Sequence, residues 1–169
     1  MHNEIRSILY AADLSEGCED ALAYAIGLAN RLGAGLQVLT VIPDQREKSL
    51  IEIDSHVPQD ALDKYHDDRA QRVKLHIEAQ IAAFYAVRTD KNPLRPITEI
   101  IVCEGDDVAQ LILDEARLGP ADLILMGSHG DGVLAGLLFG SVTHEVMRKT
   151  RTPLLLVPVS GRDEAEGKA

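Results

Sequence analysis

The fold is decided by residues 121–159, ADLILMGSHGDGVLAGLLFGSVTHEVMRKTRTPLLLVPV. The apolar run LILM at 123–126 is typical of a buried strand, and it ends at Gly127. A glycine-rich loop leads to Gly140 and Ser141, after which Val142, Val146 and Met147 are expected to point inward from a helix. Pro153 stops this helix, and a second apolar run, LLLV at 154–157, follows. This order predicts part of a parallel α/β sheet.

The glycines of the loop predict a phosphate site. Their spacing is G-x2-G-x9-G-[ST], running from Gly127 through Gly130 and Gly140 to Ser141. Glycines with positive φ can turn backbone N–H groups toward an anion, and a side chain there would hold the anion away. A helix beginning at Ser141 adds a hydroxyl, unpaired N–H groups and the positive end of its dipole. The alternative, that the glycines only end a strand and loosen a loop, is disfavoured by the strand before and the helix after.

The first forty residues repeat the strand, helix, strand order. An apolar run at 5–10 leads to Asp13, and a second run at 36–41 follows the turn Gly33 to Gly35. The residues between them recur at helical spacing: Leu22, Ala25, Ile26, Ala29 and Leu32. Short connections between two strands and one helix predict a right-handed βαβ unit with parallel pairing.

The middle of the chain predicts a long amphipathic helix from Pro58 to about Arg88. It also predicts an edge strand at 97–103, where Thr98 and Glu99 are too polar for the centre of a sheet. The apolar stripe of the helix is Leu62, Tyr65, Val73, Ile77, Ile81 and Phe84. Three histidines on or near the helix are spaced ten residues apart: His56, His66 and His76. Each step turns about 280° around a helix, so they are not expected to converge on a metal. Glu104 is read as a solvated loop carboxylate, with a place in the ligand cleft as the alternative.

Two segments carry a family resemblance. The stretch GSHGDGVLAGLLFGSVTHEVMRKTRTPLLLVP resembles the C-terminal signature of the universal stress protein family, and ILYAADLSEGCEDALAYAIGLANRLGAGLQVLTVIP resembles its N-terminal half. The G-x2-G-x9-G-[ST] spacing is that of the family's ATP-binding branch. The resemblance implies a single open five-stranded parallel sheet of order 3-2-1-4-5, Rossmann-like, with helices on both faces. We expect one α/β domain at 1–159 and a disordered tail at 160–169.

The resemblance also implies a nucleotide site. Its expected contacts are Ala11, Asp13, Val41, Gly127, His129, Gly130, Gly140, Ser141 and Val142. Asp13 and Val41 would lie against adenosine, and the glycines and Ser141 would hold phosphates. Asp13 has an alternative role as a helix N-cap, and His129 as a tolerated polar loop residue. The expected cofactor is ATP, ADP or AMP, with Mg²⁺ or Mn²⁺ because the loop has no lysine to neutralise the phosphates.

Composition excludes several partners and locations. The net charge is −10, without a Lys/Arg cluster, which disfavours nucleic acid and anionic membranes. No apolar run approaches the roughly 20 residues that span a bilayer, and the start does not resemble a signal peptide. Cys18 and Cys103 have neither disulfide-framework nor zinc spacing, which fits a reducing compartment. We therefore predict a cytoplasmic protein.

Three functions remain open from the sequence. The favoured one is an ATP-binding stress-response regulator that changes conformation or partners with nucleotide state. The second is a slow ATPase or adenylate-transferring enzyme, although the Walker lysine is absent from the loop. The third is a nucleotide-free dimeric interaction module. In the family the strand at Leu154 to Val157 pairs with its copy in a second subunit, and an exposed apolar edge strand supports such a homodimer.

Overall fold

The computed structural model describes residues 4–13, 18–43, 59–87, 95–128 and 140–158. Within these residues strands and helices alternate along the chain. The elements are β1 (Ser7–Ala12), α1 (Cys18–Leu32), β2 (Gly35–Ile42), α2 (Gln59–Ala86), β3 (Ile97–Glu104), α3 (Val108–Leu118), β4 (Leu123–Gly127), α4 (Ser141–Lys149) and β5 (Leu154–Val157). None of the described helices is both long enough and apolar enough to cross a lipid bilayer.

The five strands form one parallel sheet with the order β3-β2-β1-β4-β5. The predicted fold class and strand order are therefore confirmed, and β3 and β5 lie at the edges of the described sheet as expected. Right-handed crossovers place α1 and α2 on one face of the sheet and α3 and α4 on the other, because the sheet grows from β1 in opposite directions in the two halves of the chain. The chain extends the sheet from β1 toward β2 and later from β1 toward β4.

Helices cover both faces of the sheet. On one face α1 and α2 pack over Ile8, Tyr10 and Val38. On the other face α3 and α4 pack over Leu9, Leu39 and Ile124. The side chains of β1, β2 and β4 alternate between these two cores, which explains why these strands are apolar at nearly every position.

Three residues that the helical spacing predicted to point inward are exposed instead: Leu32, Tyr65 and Met147. Tyr65 and Met147 lie at the margin of their apolar stripes, where a shift of one residue turns the side chain by about 100°, and Leu32 is the last residue of α1. In α4 the buried positions are Thr143 and Val146. In α2 the place predicted for Tyr65 is taken by His66, which is buried.

Gly33 has a φ of +65° and is the only residue in the described ranges with a positive φ. It follows the last turn of α1, and the Ala34 N–H then donates to the carbonyl of Ala29 at 2.9 Å. Gly33 therefore ends the helix as predicted, because a left-handed conformation after a helix favours a residue without Cβ.

Candidate functional site

The carboxyl ends of β1 and β4 lie side by side at the centre of the sheet. Ala11 is level with Met126 across the two strands, and Asp13 is exposed just beyond the end of β1. The crossovers leave this point in opposite directions, toward β2 from one strand and toward β5 from the other. Such a switch point opens a crevice, and ligands of doubly wound sheets bind there.

The first turn of α4 is fastened to the end of β4. The Gly140 N–H donates to the Ser128 carbonyl at 3.3 Å, and Thr143 Oγ1 donates to the Gly127 carbonyl at 3.3 Å. Ser128 is tied to β5 in turn, because its N–H donates to the Val157 carbonyl at 2.8 Å. These bonds place the positive end of the α4 dipole at the carboxyl edge of the sheet, beside the switch point.

Gly140 is the N-cap of α4, and it supplies no side-chain hydrogen bond to the helix. The N–H groups of Ser141 and Val142 have no acceptor inside the helix, since the first turn of any helix leaves its N–H groups unpaired. A serine or aspartate cap would have occupied one of them. The local geometry of α4 is thus suited to an anion.

The reason given above for glycine at two of these positions is wrong. Gly127 completes β4, and Gly140 is extended with φ −63° and ψ 159°, so neither has a positive φ. Both conformations are open to other residues. What glycine contributes at 140 is the missing side chain, which leaves the start of α4 uncapped and accessible.

The carbonyl of Val41 points toward the end of β1. In a parallel ladder the N–H and C=O of one residue face the same neighbouring strand, and the next residue faces the other. The Ile42 carbonyl accepts from the Gly105 N–H at 3.0 Å, so Ile42 faces β3 and Val41 faces β1. The β1 pairs stop at Ala12 with Thr40, which leaves the Val41 carbonyl one step beyond, on the side of Asp13.

An open cavity of about 450 Å³ lies between the N-termini of α3 and α4. Ser141, Val142 and Glu145 line it from α4, and Asp106 and Asp107 line it from the turn before α3. Asp107 caps α3 by accepting from the Gln110 N–H at 2.9 Å. Glu145 lies 2.7 Å from Lys149 Nζ. Within the described residues, no three His, Cys, Asp or Glu side chains form a metal-binding group.

The structure therefore brings seven of the nine predicted site residues to one edge of the sheet. These are Ala11, Asp13, Val41, Gly127, Gly140, Ser141 and Val142. His129 and Gly130 lie outside the described residues, as does the predicted tail at 160–169.

Three buried ionisable side chains, those of His66, Arg69 and Glu104, form a cluster beside this edge that the sequence analysis did not predict. Glu104, the last residue of β3, has its Oε2 atom 3.1 Å from His66 Nδ1 and its Oε1 atom 3.8 Å from Arg69 Nη1. The side chains of His66, Arg69 and Glu104 are 6%, 16% and 13% exposed. The reading of Glu104 as a solvated loop carboxylate is thus wrong, because the second and third turns of α2 cover the end of β3. A helical signal existed, since His66 lies seven residues before Val73 on the buried stripe.

Arg69 also reaches the chain directly after β2. Its Nη1 donates to the Pro43 carbonyl at 2.8 Å. One guanidinium therefore joins α2 to the end of β2 and, through Glu104, to the end of β3. Glu104 of this cluster is level with Ile42 across β2 and β3.

Cys103 is a half-buried thiol on the α3 face of β3. Its Sγ donates to Glu115 Oε1 at 3.7 Å. Burial raises the pKa of this thiol, and the charge and hydrogen bond of Glu115 raise the pKa further. Cys103 is accordingly held as a neutral thiol, which is a weak nucleophile.

A sheet of this order, with ligand-competent groups at its switch point, defines a doubly wound α/β protein. The model of the universal stress protein family matches residues 4–158, and the chain belongs to that family. Universal stress protein MJ0577 of Methanocaldococcus jannaschii is 30% identical over 159 residues, covering 90% of this chain and 94% of the relative. Universal stress protein Rv2005c of Mycobacterium tuberculosis is 27% identical over 149 residues, covering 88% of this chain. The chain spans only 44% of the length of Rv2005c.

Solved structures agree with the fold. The structure of MJ0577 superimposes with a TM-score of 0.69 at 26% identity, over 94% of this chain and 99% of that one. A universal stress protein in complex with cAMP has a TM-score of 0.63 at 22% identity, over 93% and 99% of the two chains. An Archaeoglobus fulgidus universal stress protein in complex with dAMP has a TM-score of 0.56 at 18% identity, over 90% and 98%.

Proposed function

We propose that this universal stress protein binds adenine nucleotide, ATP in the first instance, at the carboxyl edge of its sheet and acts as a regulator through nucleotide-dependent conformation or partner binding. The observation that carries the proposal is the uncapped N-terminus of α4, fastened to the end of β4 beside the switch point. Unpaired N–H groups and the helix dipole at this position suit the phosphates. The Ser141 hydroxyl adds one more donor.

The adenosine half of the ligand would occupy the other side of the crevice. Asp13 and the Val41 carbonyl both face the end of β1, and a carboxylate and a carbonyl suit ribose hydroxyls and an adenine amino group respectively. The cAMP and dAMP complexes of two proteins with this fold support an adenine ligand.

A divalent cation, Mg²⁺ or Mn²⁺, would accompany a triphosphate. The chain carries a net charge of −10, and no lysine stands in the glycine loop to neutralise phosphate. Asp106 and Asp107 place further negative charge around the cavity that Ser141 lines, whereas the charge of Glu145 is paired with Lys149. Phosphates entering such a field need a counter-ion.

The protein would work as a homodimer through β5. This strand is paired with β4 on one side, and its leucines are only half-buried within the described chain. An apolar edge strand is a template for pairing with another copy.

The test has two parts. Freshly purified protein is denatured and its released small molecules are identified by mass spectrometry, which should detect an adenine nucleotide. Calorimetric titration with MgATP and with adenosine then compares wild type, Ser141→Ala and the control Ser7→Ala, whose serine lies at the opposite end of β1. Loss of a hydrogen bond to a charged phosphate should weaken ATP binding about tenfold or more in S141A. Adenosine binding should be unchanged.

A wild-type protein that releases no nucleotide, gives no heat with MgATP and shows no rise in melting temperature would refute the proposal, because a ligand of the folded state must stabilise it. Equal ATP affinities of S141A and S7A would refute the assignment of phosphate to α4.

A further inference from the structure

The outward side of α4 carries excess positive charge close to Pro158, the last described residue. We infer that this side of α4 is a docking surface for the acidic run at 163–166 of the same chain, and that the docked run covers the start of α4 and opposes nucleotide binding. The inference rests on the proposed function and concerns the regulation of that site. The acidic run is DEAE, with carboxylates at Asp163, Glu164 and Glu166.

Three exposed residues form one stripe along α4, called the α4 stripe below: Ser141, His144 and Arg148. They are three and four residues apart, so they lie on the same side of the helix. Arg151 is exposed just beyond the end of α4. The stripe therefore runs from the proposed phosphate donor, Ser141, to a side chain with a permanent positive charge.

The positive charge of this segment is only partly neutralised by its own carboxylate. Residues 141–151 contain three cations and one acidic residue, a formal charge of +2 in a chain of net charge −10. Glu145 Oε1 lies 2.7 Å from Lys149 Nζ but 3.9 Å from Arg148 Nη2. The Arg148 side chain is 66% exposed. Its guanidinium can therefore bind a further carboxylate, for which its planar fork is suited.

The acidic run is attached close to the beginning of the α4 stripe. The Ser128 N–H donates to the Val157 carbonyl at 2.8 Å, and the Ser128 carbonyl accepts from the Gly140 N–H at 3.3 Å. One residue thus separates the end of β5 from the N-cap of α4. The acidic run begins five residues after Pro158, and five extended residues span up to about 17 Å.

This length is sufficient for contact with Arg148, which lies seven residues along α4 from Ser141, or about 10 Å. The covalent connection also keeps the carboxylates near the stripe at an effective concentration of about millimolar. An acidic segment of the same chain is therefore the occupant that both the charge and the attachment point favour.

A segment docked on the stripe would interfere with phosphate and not with adenosine. It approaches α4 from the carboxyl edge of the sheet, so it passes over Ser141 before it reaches Arg148. Carboxylates at a helix start repel phosphates and can themselves accept from the unpaired N–H groups. A triphosphate must then displace the segment, whereas adenosine, which has no phosphate, does not compete with it.

The experiment measures the affinities of MgATP and adenosine by calorimetry for the full-length protein. A neutral variant removes the three charges of the acidic run: Asp163→Asn, Glu164→Gln and Glu166→Gln. A control variant removes three exposed carboxylates from α2, on the opposite face of the sheet from α4: Asp67→Asn, Asp68→Asn and Glu78→Gln. Both variants change the net charge equally.

At low salt the neutral variant should bind MgATP about threefold more tightly than the control variant, which is the equivalent of one exposed ion pair. Adenosine affinity should be the same in the two variants. The difference should disappear at about 1 M salt, where charges are screened within about 3 Å.

Arg148→Gln, combined with each variant, separates docking on α4 from repulsion through space. If the acidic run pairs with Arg148, its neutralisation should have little effect on MgATP affinity once Arg148 is replaced. Without nucleotide, neutralising the run should also shift the backbone amide NMR signals of His144 and Arg148.

The outcomes separate this inference from the proposed function. If wild type and all variants fail to bind MgATP, the proposed function fails, and unshifted amide signals would overturn the docking as well. If wild type binds MgATP but the neutral and control variants have equal affinities, only the docking is overturned. A threefold gain that persists with Arg148→Gln would show repulsion without docking. Weaker binding by the neutral variant would show that the segment helps to hold phosphate. Amide signals of the stripe that change with protein concentration, and not with neutralisation, would assign the stripe to a second copy of the chain. Each of these three results would overturn the inference.

Discussion

Two buried threonines should respond in opposite directions to the same substitution. Thr40 on β2 is 1% exposed, and its Oγ1 has no hydrogen-bond partner among the described residues. Thr143 on α4 is 4% exposed, and its Oγ1 donates to the Gly127 carbonyl at 3.3 Å. Valine has nearly the same shape as threonine, so Thr→Val tests the hydroxyl with little change in packing.

The expected changes follow from the hydrogen bonds. Thr40→Val removes an unpaired buried hydroxyl and should raise the free energy of unfolding by about 1 kcal/mol. Thr143→Val removes the hydrogen bond to the Gly127 carbonyl and should lower the free energy of unfolding by about 1 kcal/mol. The melting temperatures of the two variants should then differ by roughly 4–8 °C in a chain of this size.

Guanidinium unfolding followed by circular dichroism at 25 °C measures both values. A Thr40→Val variant less stable than wild type by 1 kcal/mol or more would refute the reasoning, since its hydroxyl would then have a partner that matters. Equal effects of the two substitutions would show that shape, and not hydrogen bonding, controls these positions.

Two further predictions concern the sheet edge and the thiol. The Val157 carbonyl faces β4, so the N–H of Leu156 faces the free edge of β5. For the proposed homodimer through β5, light scattering should then show Leu156→Pro to be a monomer. Leu155→Pro should also lose stability, because it removes a hydrogen bond to β4. The raised pKa of Cys103 predicts slow maleimide labelling at pH 8, and Glu115→Gln, in a Cys18→Ser background, should speed labelling because removal of the negative charge lowers the thiol pKa. An unchanged rate in that variant would show that burial alone controls the thiol.

The fold could be predicted because its determinants are local. Most strands are short apolar runs, each helix has an apolar stripe at helical spacing, and parallel strands that are joined through a helix cross over right-handed. The polar residues Thr98 and Glu99 correctly marked β3 as an edge strand. The errors at Tyr65 and Met147 concern the width of the buried stripe, which depends on how closely a helix packs on the sheet, and the error at Leu32 concerns where the buried part of α1 ends.

The sequence predicted that the candidate residues share the carboxyl edge of the sheet, and the structure places seven of them there, but the role of glycine at two of these positions could not be predicted. The G-x2-G-x9-G-[ST] spacing predicted a phosphate site at the loop and at Ser141. The structure shows that the first turn of α4 is hydrogen-bonded to the end of β4. The prediction of a positive φ at Gly140 was wrong. The sequence alone does not reveal whether a glycine is needed for a positive φ or because a ligand approaches the backbone where a Cβ would stand.

The cluster of His66, Arg69 and Glu104 could not be predicted from hydrophobic periodicity, because it joins side chains that are far apart in the sequence. Seven-residue spacing to Val73 places His66 on the buried stripe of α2, and a buried histidine requires a polar neighbour. That neighbour, Glu104, is 38 positions away in the chain. It can be identified only when the position of α2 along the sheet is known. Because α2 lies with its early turns over the carboxyl edge, the neighbour is the last residue of β3 and the next turn of the helix reaches Pro43. This position of α2 over the carboxyl edge, which the sequence does not reveal, also connects α2 to Pro43, two residues after the proposed adenine contact at Val41.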